Sequence, residues 1–435
     1  MRQLPAQQYE SEAQRDRAAA AAARVQTLST QWHPVPGQDD EFTEAEVRSA
    51  LTKMANNKAP GHDGIVAEML KLAGAPVLRR LTDLFNKVLD TCTIPDGWRK
   101  GTIVSVFKAG DSTDPNNYRG ITLLPVVDKL FTSLLASRIA EAAPCHFNQF
   151  GFCKGRGTAE AQFNFVCALQ ARILEKQSSH AFFLDIRKAF DTVNRSLILT
   201  KLYDKGVTGK LWHAVRTLYS DIRSRAASSG GVSDYFEILQ GVAQGCPMSP
   251  VLFNIYIDNI LCVLDEAGNA HGIETACKQA TLGGQGYADD CNAIADTAPG
   301  LQHLTDALAD CLENDLLLRE ARHKCKSMSF GPGPNHADPH LQWRGTAIEH
   351  QQSESLLGIT ITPDLSWLPQ IARALRNGKY ALHNWRPVLR STNLNIDVKL
   401  LMVKTHIVPA MTYGLAVWGP STPQEWAEFK KLTTV

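Results

Sequence analysis

Two adjacent aspartates in a segment of small and apolar residues constrain the fold of this chain more than any other feature. Asp289 and Asp290 follow a tyrosine and an alanine in "GYADDCNAIADT", residues 286–297. The alternation of small and apolar side chains around them is typical of strands, and a tight β-turn lets neighbouring side chains reach one site. The fold must therefore hold two like charges side by side, which is unfavourable unless a cation lies between them.

A third aspartate, Asp185, ends the predicted strand "AFFLD". Three carboxylates at strand edges repel one another if the fold brings them close together, so the group needs cations. Oxygen ligands select hard cations, Mg²⁺ first, and two such ions about 3.5–4 Å apart are the arrangement used for phosphoryl transfer. An Asp-Asp turn exposed to water is the alternative that the pair alone leaves open.

The composition excludes several classes of protein. With 435 residues, 44% of them hydrophobic and 20% charged, the chain can bury a sizeable core in one multi-lobed unit or in two to three domains. Its 45 Lys plus Arg against 44 Asp plus Glu give no overall basic field, so any nucleic-acid contact must come from local clusters. Ten cysteines without metal-ligand spacing indicate reduced thiols in an intracellular protein. No apolar run approaches the roughly 20 residues of a membrane helix.

Local patterns divide the chain into three parts. Residues 1–42 are predicted to form a helix and a linker, and Thr43 is predicted to cap the next helix with Glu46 in the capping-box position. "GTIVSVF", "HAFFLDI" and "ESLLGITITPD" each read as a strand. We expect the glycines of "TLGGQG" to weaken the strand before the aspartate pair, because glycine offers no side chain to pack.

Beyond residue 362 the chain becomes helical and basic, which is the predicted start of a last domain, 363–435. Between Ile371 and Lys404 the only acidic residue is Asp397. A basic helical segment of this kind fits contact with the phosphates of a nucleic-acid duplex, and a solvated helix face is the alternative. The basic residues are Arg373, Arg376, Lys379, Arg386, Arg390, Lys399 and Lys404.

A series of motifs, in a fixed order, resembles the reverse transcriptases of LINE-type non-LTR retrotransposons and, more distantly, those of group II introns and retroviruses. The resemblance implies an α+β right-hand polymerase with fingers, an antiparallel-sheet palm and a helical thumb. Fingers and palm would cover residues 43–362, with core motifs from about 91 to 362. The motifs are "NNKAPGHDGI", "WRKGTIVSVFKAGDSTDPNNYRGITLLPVVDKL", "NQFGFCKGRGT", "FFLDIRKAFDTV", "QGVAQGCPMSPVLFNIYIDNI", "GYADD", "LREARHKCKSMSF" and "LLGITITPDLSW".

The resemblance implies a metal site with two Mg²⁺ ions, or Mn²⁺ in their place. Asp185, Asp289 and Asp290 would be the catalytic carboxylates, and the backbone carbonyl of Ile186 would be a further ligand. Lys324 resembles the lysine that protonates the departing pyrophosphate, a role that needs a donor near its own deprotonation. Lys326 is a rival for that role.

Other motifs imply a site for the incoming dNTP. Phe190 resembles the steric gate against the sugar, with a core aromatic as the alternative, and Gln244 and Gly245 resemble the nucleotide-binding turn. Arg119 and Lys108 lie in a segment that resembles the fingers hairpin, whose cations hold the triphosphate. A solvated loop is the alternative for both cations.

The segment "LLGI", Leu356 to Ile359, resembles the primer grip, with Leu357 and Gly358 at its centre. The partners implied are an RNA template, a DNA primer or nicked target DNA, and dNTPs, with no membrane. The expected location is intracellular, and nuclear in a eukaryotic host. The chain resembles a fragment that lacks the endonuclease of longer elements.

Two other functions remain open from the sequence. An RNA-dependent RNA polymerase uses the same palm scaffold, although Phe190 as a sugar gate and the alanine in "YADD" favour the DNA-making enzyme. A catalytically decayed RNA-binding or maturase-like relic is the alternative from another class. Loss of any of the three aspartates would favour the relic, and all three are present.

Overall fold

Helices and strands alternate along the chain in a computed structural model that describes Tyr9 and residues 11–228, 230–275, 280–332 and 337–434. Of the predicted N-terminal extension, residues 1–8 and 10 lie outside the described residues. The helices are α1 Glu12–Leu28, α2 Glu44–Lys53, α3 Ala67–Leu72, α4 Gly74–Thr91, α5 Val126–Ala142, α6 Thr158–Leu174, α7 Ala189–Thr192, α8 Arg195–Asp204, α9 Gly209–Leu218, α10 Ser249–His271, α11 Ala298–Asp310, α12 Leu368–Arg390, α13 Ile396–Met402, α14 Val408–Thr412 and α15 Pro423–Phe429.

Most of the described strands are short. None of the helices in the described part of the chain is long and apolar enough to cross a membrane. The strands are β1 Lys100–Phe107, β2 Tyr118–Leu123, β3 Ser179–Leu184, β4 Arg223–Ser228, β5 Gly231–Val232, β6 Phe236–Glu237, β7 Ile273–Glu274, β8 Thr281–Leu282, β9 Gly284–Tyr287, β10 Asp290–Ala295, β11 Lys326–Phe330, β12 Gln342–Trp343, β13 Thr346–Ala347, β14 Glu349–His350, β15 Glu354–Leu356 and β16 Ile359–Ile361.

The chain folds as two compact units, each built from segments that are distant in sequence. Unit 1 comprises Met1–His146, Ile186–Ile260 and Asp310–Arg319. Unit 2 comprises Phe147–Asp185, Leu261–Ala309 and Glu320–Val435. The domain boundaries expected after residues 42 and 362 remain predictions.

Unit 1 contains a mixed sheet with the strand order β2-β1-β4-β5, to which β6 is added beside β4. Strands β1 and β2 form an antiparallel hairpin, while β1 and β4 run parallel. The capping box predicted for α2 is confirmed, because Glu46 N–H donates to the Thr43 hydroxyl and Thr43 N–H donates to the Glu46 carboxylate. Behind the sheet, Phe85, Trp98 and Phe131 pack ring against ring in the core.

A buried carboxyl group on α5 makes the stability of unit 1 dependent on pH. Asp128 is 3% exposed, and its Oδ1 atom has no hydrogen-bond partner among the described residues. Burial raises the pKa of Asp128 to about 8, so the folded protein holds this proton at neutral pH. The folded state therefore loses stability as the pH rises from the unfolded pKa, near 4, towards 8.

Asn is neutral and similar in shape to Asp. We therefore expect Asp128→Asn to reduce the fall in the free energy of unfolding with rising pH by up to about 1.4 kcal/mol per pH unit. The measurement is the free energy of unfolding in denaturant between about pH 5 and pH 8. Asp83→Asn, at an exposed position of α4, is the matched control and should follow the unsubstituted chain. Parallel pH curves for Asp128→Asn and the unsubstituted chain would contradict the assignment.

Unit 2 contains a second sheet with the strand order β14-β11-β3-β10-β9. Strand β3 is central and antiparallel to both β10 and β11, and β9 and β10 form an antiparallel hairpin. The sheet differs from the purely antiparallel sheet expected from the sequence at one edge, where β14 pairs parallel to β11. The fold is thus a mixture of helices and sheets, as predicted, and both large sheets are mixed.

The glycines of "TLGGQG" permit close backbone contacts at the sheet, and the weaker strand expected there remains a prediction. A Cβ atom at Gly283 would lie 2.0 Å from the Leu264 carbonyl oxygen of α10, and one at Gly284 would lie 2.3 Å from the Asn292 carbonyl oxygen. Only glycine permits the backbone to approach a neighbour this closely. Helix α10 can therefore pack directly on the strands that lead to the aspartate pair.

The segment "ESLLGITITPD" forms a hairpin of two strands, β15 and β16, rather than the single strand expected. Leu357 and Gly358 join the strands with φ angles of 46° and 91°. A two-residue turn with two positive φ angles matches the twist of the strands on either side of it. Glycine adopts a positive φ readily, which favours this turn. The hairpin packs on the core of unit 2, which includes Phe165, Ile294, Met328, Phe330, Ile359, Trp367 and Trp418.

Candidate active site

The three aspartates meet at one end of the sheet of unit 2. Strand β3 ends at Leu184, which pairs with Cys291 of the antiparallel strand β10. Asp185 follows Leu184, and Asp290 precedes Cys291, so these two aspartates are neighbours across the strand pair. Asp289 lies in the turn between β9 and β10. Residues that are far apart in the sequence thus form one carboxylate cluster.

The cluster concentrates negative charge. Burial, together with the negative charges of Asp289 and Asp185, raises the pKa of Asp290 to about 6. Part of Asp290 still reaches solvent, while the protein packed around it removes much of its hydration. The Nζ atom of Lys324 lies 3.7 Å from Oδ1 of Asp185 and is the nearest cation recorded for this carboxylate among the described residues.

A groove of about 150 Å³ lies alongside the cluster within unit 2. One wall carries Asp185, Asp290 and Lys324, and the other is the hairpin from Glu354 to Leu357. A ligand in this groove would contact the carboxylates and the hairpin together. The groove is therefore the place in unit 2 where a substrate can meet the acidic cluster.

The cluster fits a hard divalent cation in the type of its ligands and in its charge. Three carboxylates supply only oxygen ligands, and their mutual repulsion is relieved by a cation. In their present conformations, the side chains of the described residues include no group of three or more His, Cys, Asp or Glu placed to hold a metal ion. Asp185, Asp289 and Asp290 would therefore have to change side-chain conformation to hold an ion.

Gln149, which the sequence analysis missed, holds the turn that carries the aspartates. Its side chain is 1% exposed, and Oε1 accepts the N–H of Ala288 at 2.8 Å and the N–H of Gly151 at 2.9 Å. Ala288 has a φ of 54°, a left-handed conformation that is unfavourable for alanine. The buried amide therefore helps to fix a strained turn from outside the aspartate motif.

Gly151 brings its backbone against the same turn. The N–H of Phe150 donates to the Gly286 carbonyl, and the N–H of Gly286 donates to the Asn148 carbonyl, so the segment pairs with β9. A Cβ atom at Gly151 would lie 2.2 Å from the nitrogen of Ala288. Glycine at this position is required by contact with the aspartate turn.

The structure separates the two candidate lysines. Lys324 ends a short 3₁₀ turn that follows Ala321, whose N–H donates to the Asp185 carbonyl at 2.8 Å. Lys326 lies in β11 and forms an ion pair with Glu349 of β14. Lys324 borders the groove, whereas Lys326 is engaged at the sheet edge. This geometry favours Lys324 over its rival.

The tip of the β15–β16 hairpin is held by side chains from two other elements. The Leu357 carbonyl accepts the Tyr413 hydroxyl at 2.8 Å and the Gln162 side-chain amide at 2.9 Å. Arg373 of α12 donates to Ser355 and Thr360 on the hairpin strands, at 3.3 Å each. These contacts fix the backbone of Leu357 and Gly358, which the sequence analysis assigned to the primer grip.

The residues expected to contact the nucleotide lie in unit 1 and form a cluster there. Gln244 donates to the Asp191 carboxylate at 3.1 Å. Burial raises the pKa of Asp191, and the Gln244 bond and the charges of Lys188, Lys108 and Arg119 partly offset this. Lys108 and Arg119 are exposed at the loop end of the β1–β2 hairpin. Cations and an amide are thus close together around one carboxyl group.

Gly245 and Phe190 also have structural partners within unit 1. Gly245 has a φ of 127°, and a Cβ atom there would lie 2.5 Å from the Thr122 carbonyl oxygen of β2. The Phe190 ring stacks on Phe253 with 4.2 Å between centroids, and it remains partly exposed. Ile186, the expected backbone ligand, is buried in unit 1. The roles expected for these residues remain predictions.

A comparison with known families identifies the chain. Residues 106–361, more than half of the sequence, match the family described as "Reverse transcriptase (RNA-dependent DNA polymerase)". The chain belongs to the reverse transcriptase family. The matched range contains the carboxylate cluster, Gln149, Lys324 and the hairpin β15–β16.

Similar reverse transcriptases come from insect mobile elements. The chain is 28% identical over 390 residues to "RNA-directed DNA polymerase from mobile element jockey" of Drosophila melanogaster, covering 86% of this chain and 41% of that protein. It is 24% identical over 394 residues to "Probable RNA-directed DNA polymerase from transposon X-element" of the same species, covering 87% and 41%. It is 25% identical over 367 residues to "Retrovirus-related Pol polyprotein from type-1 retrotransposable element R2" of Popillia japonica, covering 82% and 49%.

Each of these alignments covers more of the chain than residues 106–361, which match the family. The chain spans less than half of the length of each of these curated relatives. The match to the reverse transcriptase family covers residues 106–361 of the chain.

Proposed function

We propose that this chain is the polymerase region of a non-LTR retrotransposon protein, an RNA-directed DNA polymerase that extends a DNA 3′-hydroxyl on an RNA template. The observation that carries the proposal is the meeting of Asp185, Asp289 and Asp290 beside the groove of unit 2. Family membership and the names of the relatives support the same reaction. The substrates are the RNA template, a DNA primer or nicked target DNA, and dNTPs, in an intracellular and, for a eukaryotic host, nuclear location.

The three carboxylates would hold two Mg²⁺ ions, or Mn²⁺, with the Ile186 carbonyl as a further ligand. When bound, the ions activate the attacking hydroxyl and stabilise the leaving oxygen. Lys324, beside Asp185, donates a proton to the departing pyrophosphate. Burial and the repulsion from Asp289 and Asp185 both raise the pKa of Asp290, and a cation at this cluster would offset both effects.

The residues grouped around Asp191 in unit 1 bind the incoming nucleotide. Arg119 and Lys108 bind the triphosphate, since a guanidinium makes paired hydrogen bonds to phosphate and an ammonium acts as a point charge. Gln244 and Gly245 contact the nucleotide, and Phe190 lies against its sugar and disfavours ribonucleotides. The exposure of both cations near Gln244 supports this assignment.

The right-hand description divides the molecule by function. The β1–β2 hairpin belongs to the fingers, the sheet of unit 2 to the palm, and the helices from α12 onwards to the thumb. On α12, basic side chains recur every three or four residues and are exposed, so they share one face over roughly 21 Å. This stripe follows the phosphates of the template–primer duplex. Its members are Arg376, Lys379, His383, Arg386 and Arg390.

Primer extension tests the proposed function directly. The chain is incubated with a DNA primer on an RNA template, Mg²⁺ and dNTPs, and in parallel with rNTPs. We expect extension with dNTPs and at least about 100-fold less with rNTPs, because Phe190 acts as the sugar gate. Preferential use of rNTPs would indicate an RNA polymerase, and binding of RNA without extension would indicate a non-catalytic relic. Either outcome would overturn the proposal.

Removal of one hydroxyl tests the role of the hairpin. Tyr413→Phe deletes the hydrogen bond to the Leu357 carbonyl, which is worth about 0.5–1.5 kcal/mol. We expect the KM for primer–template to rise about 3- to 10-fold, with kcat within about twofold, because the hairpin places the primer rather than the reacting groups. Tyr203→Phe, which loses an exposed bond to Gln31 in unit 1, is the control. An unchanged KM for Tyr413→Phe would exclude the positioning role.

A further inference from the structure

A cavity of about 260 Å³ in unit 1 lies apart from every residue assigned above. It is enclosed by helices α1, α8 and α10. Its walls combine apolar side chains with cations: Arg17 and Arg24 from α1, and Lys201 and Lys205 from α8. The acidic side chain that lines it is Asp204. The lining therefore carries an excess of positive charge.

Two of the four cations have carboxylate partners. Arg24 makes a two-pronged ion pair with Asp204, and Lys205 Nζ lies 2.7 Å from Oδ2 of Asp258. Within the described residues, neither Arg17 nor Lys201 has a carboxylate at ion-pair distance. The cavity thus presents two cations whose charge the protein has not neutralised by contact.

The ammonium group of Lys201 has unused hydrogen-bonding capacity. Two of its three N–H groups donate to the Tyr256 carbonyl at 2.8 Å and to the Asn259 side-chain oxygen at 2.7 Å. In the described part of the chain, the third has no partner. Burial lowers the pKa of Lys201 to about 8, although the charges of Asp258 and Asp315 act in the opposite direction. An anion in the cavity would stabilise the charged form of Lys201 and so offset the cost of its burial.

We propose that this cavity binds a phosphate group, with Lys201 and Arg17 as its ligands. A guanidinium and an ammonium together supply the charge-assisted donors that phosphate oxygens accept. The ligand is a free phosphate or pyrophosphate ion, or the terminal phosphate of a polynucleotide. Ala20, Ala21, Leu197 and Ile255 are among the other residues that line the cavity. The site does not depend on the polymerase function proposed above.

Thermal unfolding of the full chain tests the site at constant ionic strength, with sodium chloride replaced stepwise by sodium phosphate or pyrophosphate. We expect the midpoint of unfolding to rise by about 1.5 °C when the anion reaches ten times its Kd. Arg17→Ala and Lys201→Met should each weaken binding about 10-fold or more, because each removes a charged hydrogen bond. Arg17 is exposed on α1, so its substitution preserves folding even if that at Lys201 does not. Lys87→Met, at an exposed position of α4, is the matched control and should keep the full shift.

A second arm distinguishes the sources of the phosphate. A short RNA with a 5′-phosphate is compared with the same RNA ending in a 5′-hydroxyl, on the unsubstituted chain and on Arg17→Ala. A Kd at least about 10-fold lower for the phosphorylated RNA, lost in Arg17→Ala, assigns a polynucleotide end. Stabilisation by the free anions alone assigns inorganic phosphate. The proposal would be overturned if phosphate or pyrophosphate raised the midpoint of unfolding equally in the unsubstituted chain, Arg17→Ala and Lys87→Met. It would also be overturned if neither anion raised that midpoint at all.

Discussion

Asp289→Asn is expected to reduce the rate of nucleotide incorporation at least about 1,000-fold, which corresponds to about 4 kcal/mol of transition-state stabilisation. The amide keeps the size of the side chain and removes one negative charge from the cluster that Asp185 and Asp290 complete. Loss of that charge weakens the hold on the divalent ions and leaves folding intact, since Asp289 lies in a turn. Single-turnover primer extension measures the effect.

Two further measurements separate this loss from a general defect. Binding of the RNA–DNA duplex by Asp289→Asn should stay within about twofold of the unsubstituted chain, because the thumb stripe and the hairpin are unchanged. Asp83→Asn, an exposed acid of unit 1, should keep full activity. Activity of Asp289→Asn equal to that of Asp83→Asn would refute the assignment of the cluster.

Gly151→Ala is expected to lower the rate of incorporation about 100-fold although it changes no polar group. The added methyl carbon would lie 2.2 Å from the nitrogen of Ala288, so the aspartate turn must move. A displacement of about 1 Å at a reacting centre is sufficient for a loss of about 100-fold. The loss should appear in kcat, while the KM for primer–template stays within about threefold.

A second glycine substitution serves as the control for Gly151→Ala. A Cβ atom at Gly419 has no heavy atom within 4 Å, so Gly419→Ala adds the same methyl group to unit 2 without a clash. We expect it to keep full activity. Full activity in Gly151→Ala as well would show that the turn tolerates movement, and that the fixed geometry inferred around Gln149 is unimportant.

The parts of the site that the sequence identified are those that lie within short motifs. Asp185 follows strand β3, and the pair Asp289–Asp290 lies at the start of strand β10. The pattern of apolar residues in the sequence predicts both strands. The capping box of Thr43 and Glu46 was equally local. In each case the side chain and the backbone that positions it are within a few residues of each other.

The supporting residues could not be found in this way, because their partners are distant in sequence. Gln149 holds the N–H of Ala288, and Tyr413 holds the carbonyl of Leu357, and neither pair has a local signature. The contact made by Gly283 is hidden from the sequence for the same reason. Its role depends on the close approach of Leu264 on α10, which no pattern of neighbouring residues reveals.

An ambiguous turn signal explains why the hairpin β15–β16 is predicted as a single strand. "LLGI" lacks the Asn-Gly or Asp-Gly dipeptide that marks a two-residue hairpin, so the segment reads as a continuous strand. The hairpin requires a positive φ at Leu357, which is supported by the two hydrogen bonds to its carbonyl and by packing on the core. Tertiary contacts rather than local preference fix this turn.

The central claim is that Asp185, Asp289 and Asp290 together hold the divalent ions of a polymerase. Its most direct test is anomalous diffraction from crystals of the full chain grown with an RNA–DNA primer–template, an unreactive dNTP analogue and Mn²⁺. We expect two manganese peaks, each from an ion that these three carboxylates ligate. Manganese bound only elsewhere, with the three aspartates unligated and the nucleotide in place, would contradict it.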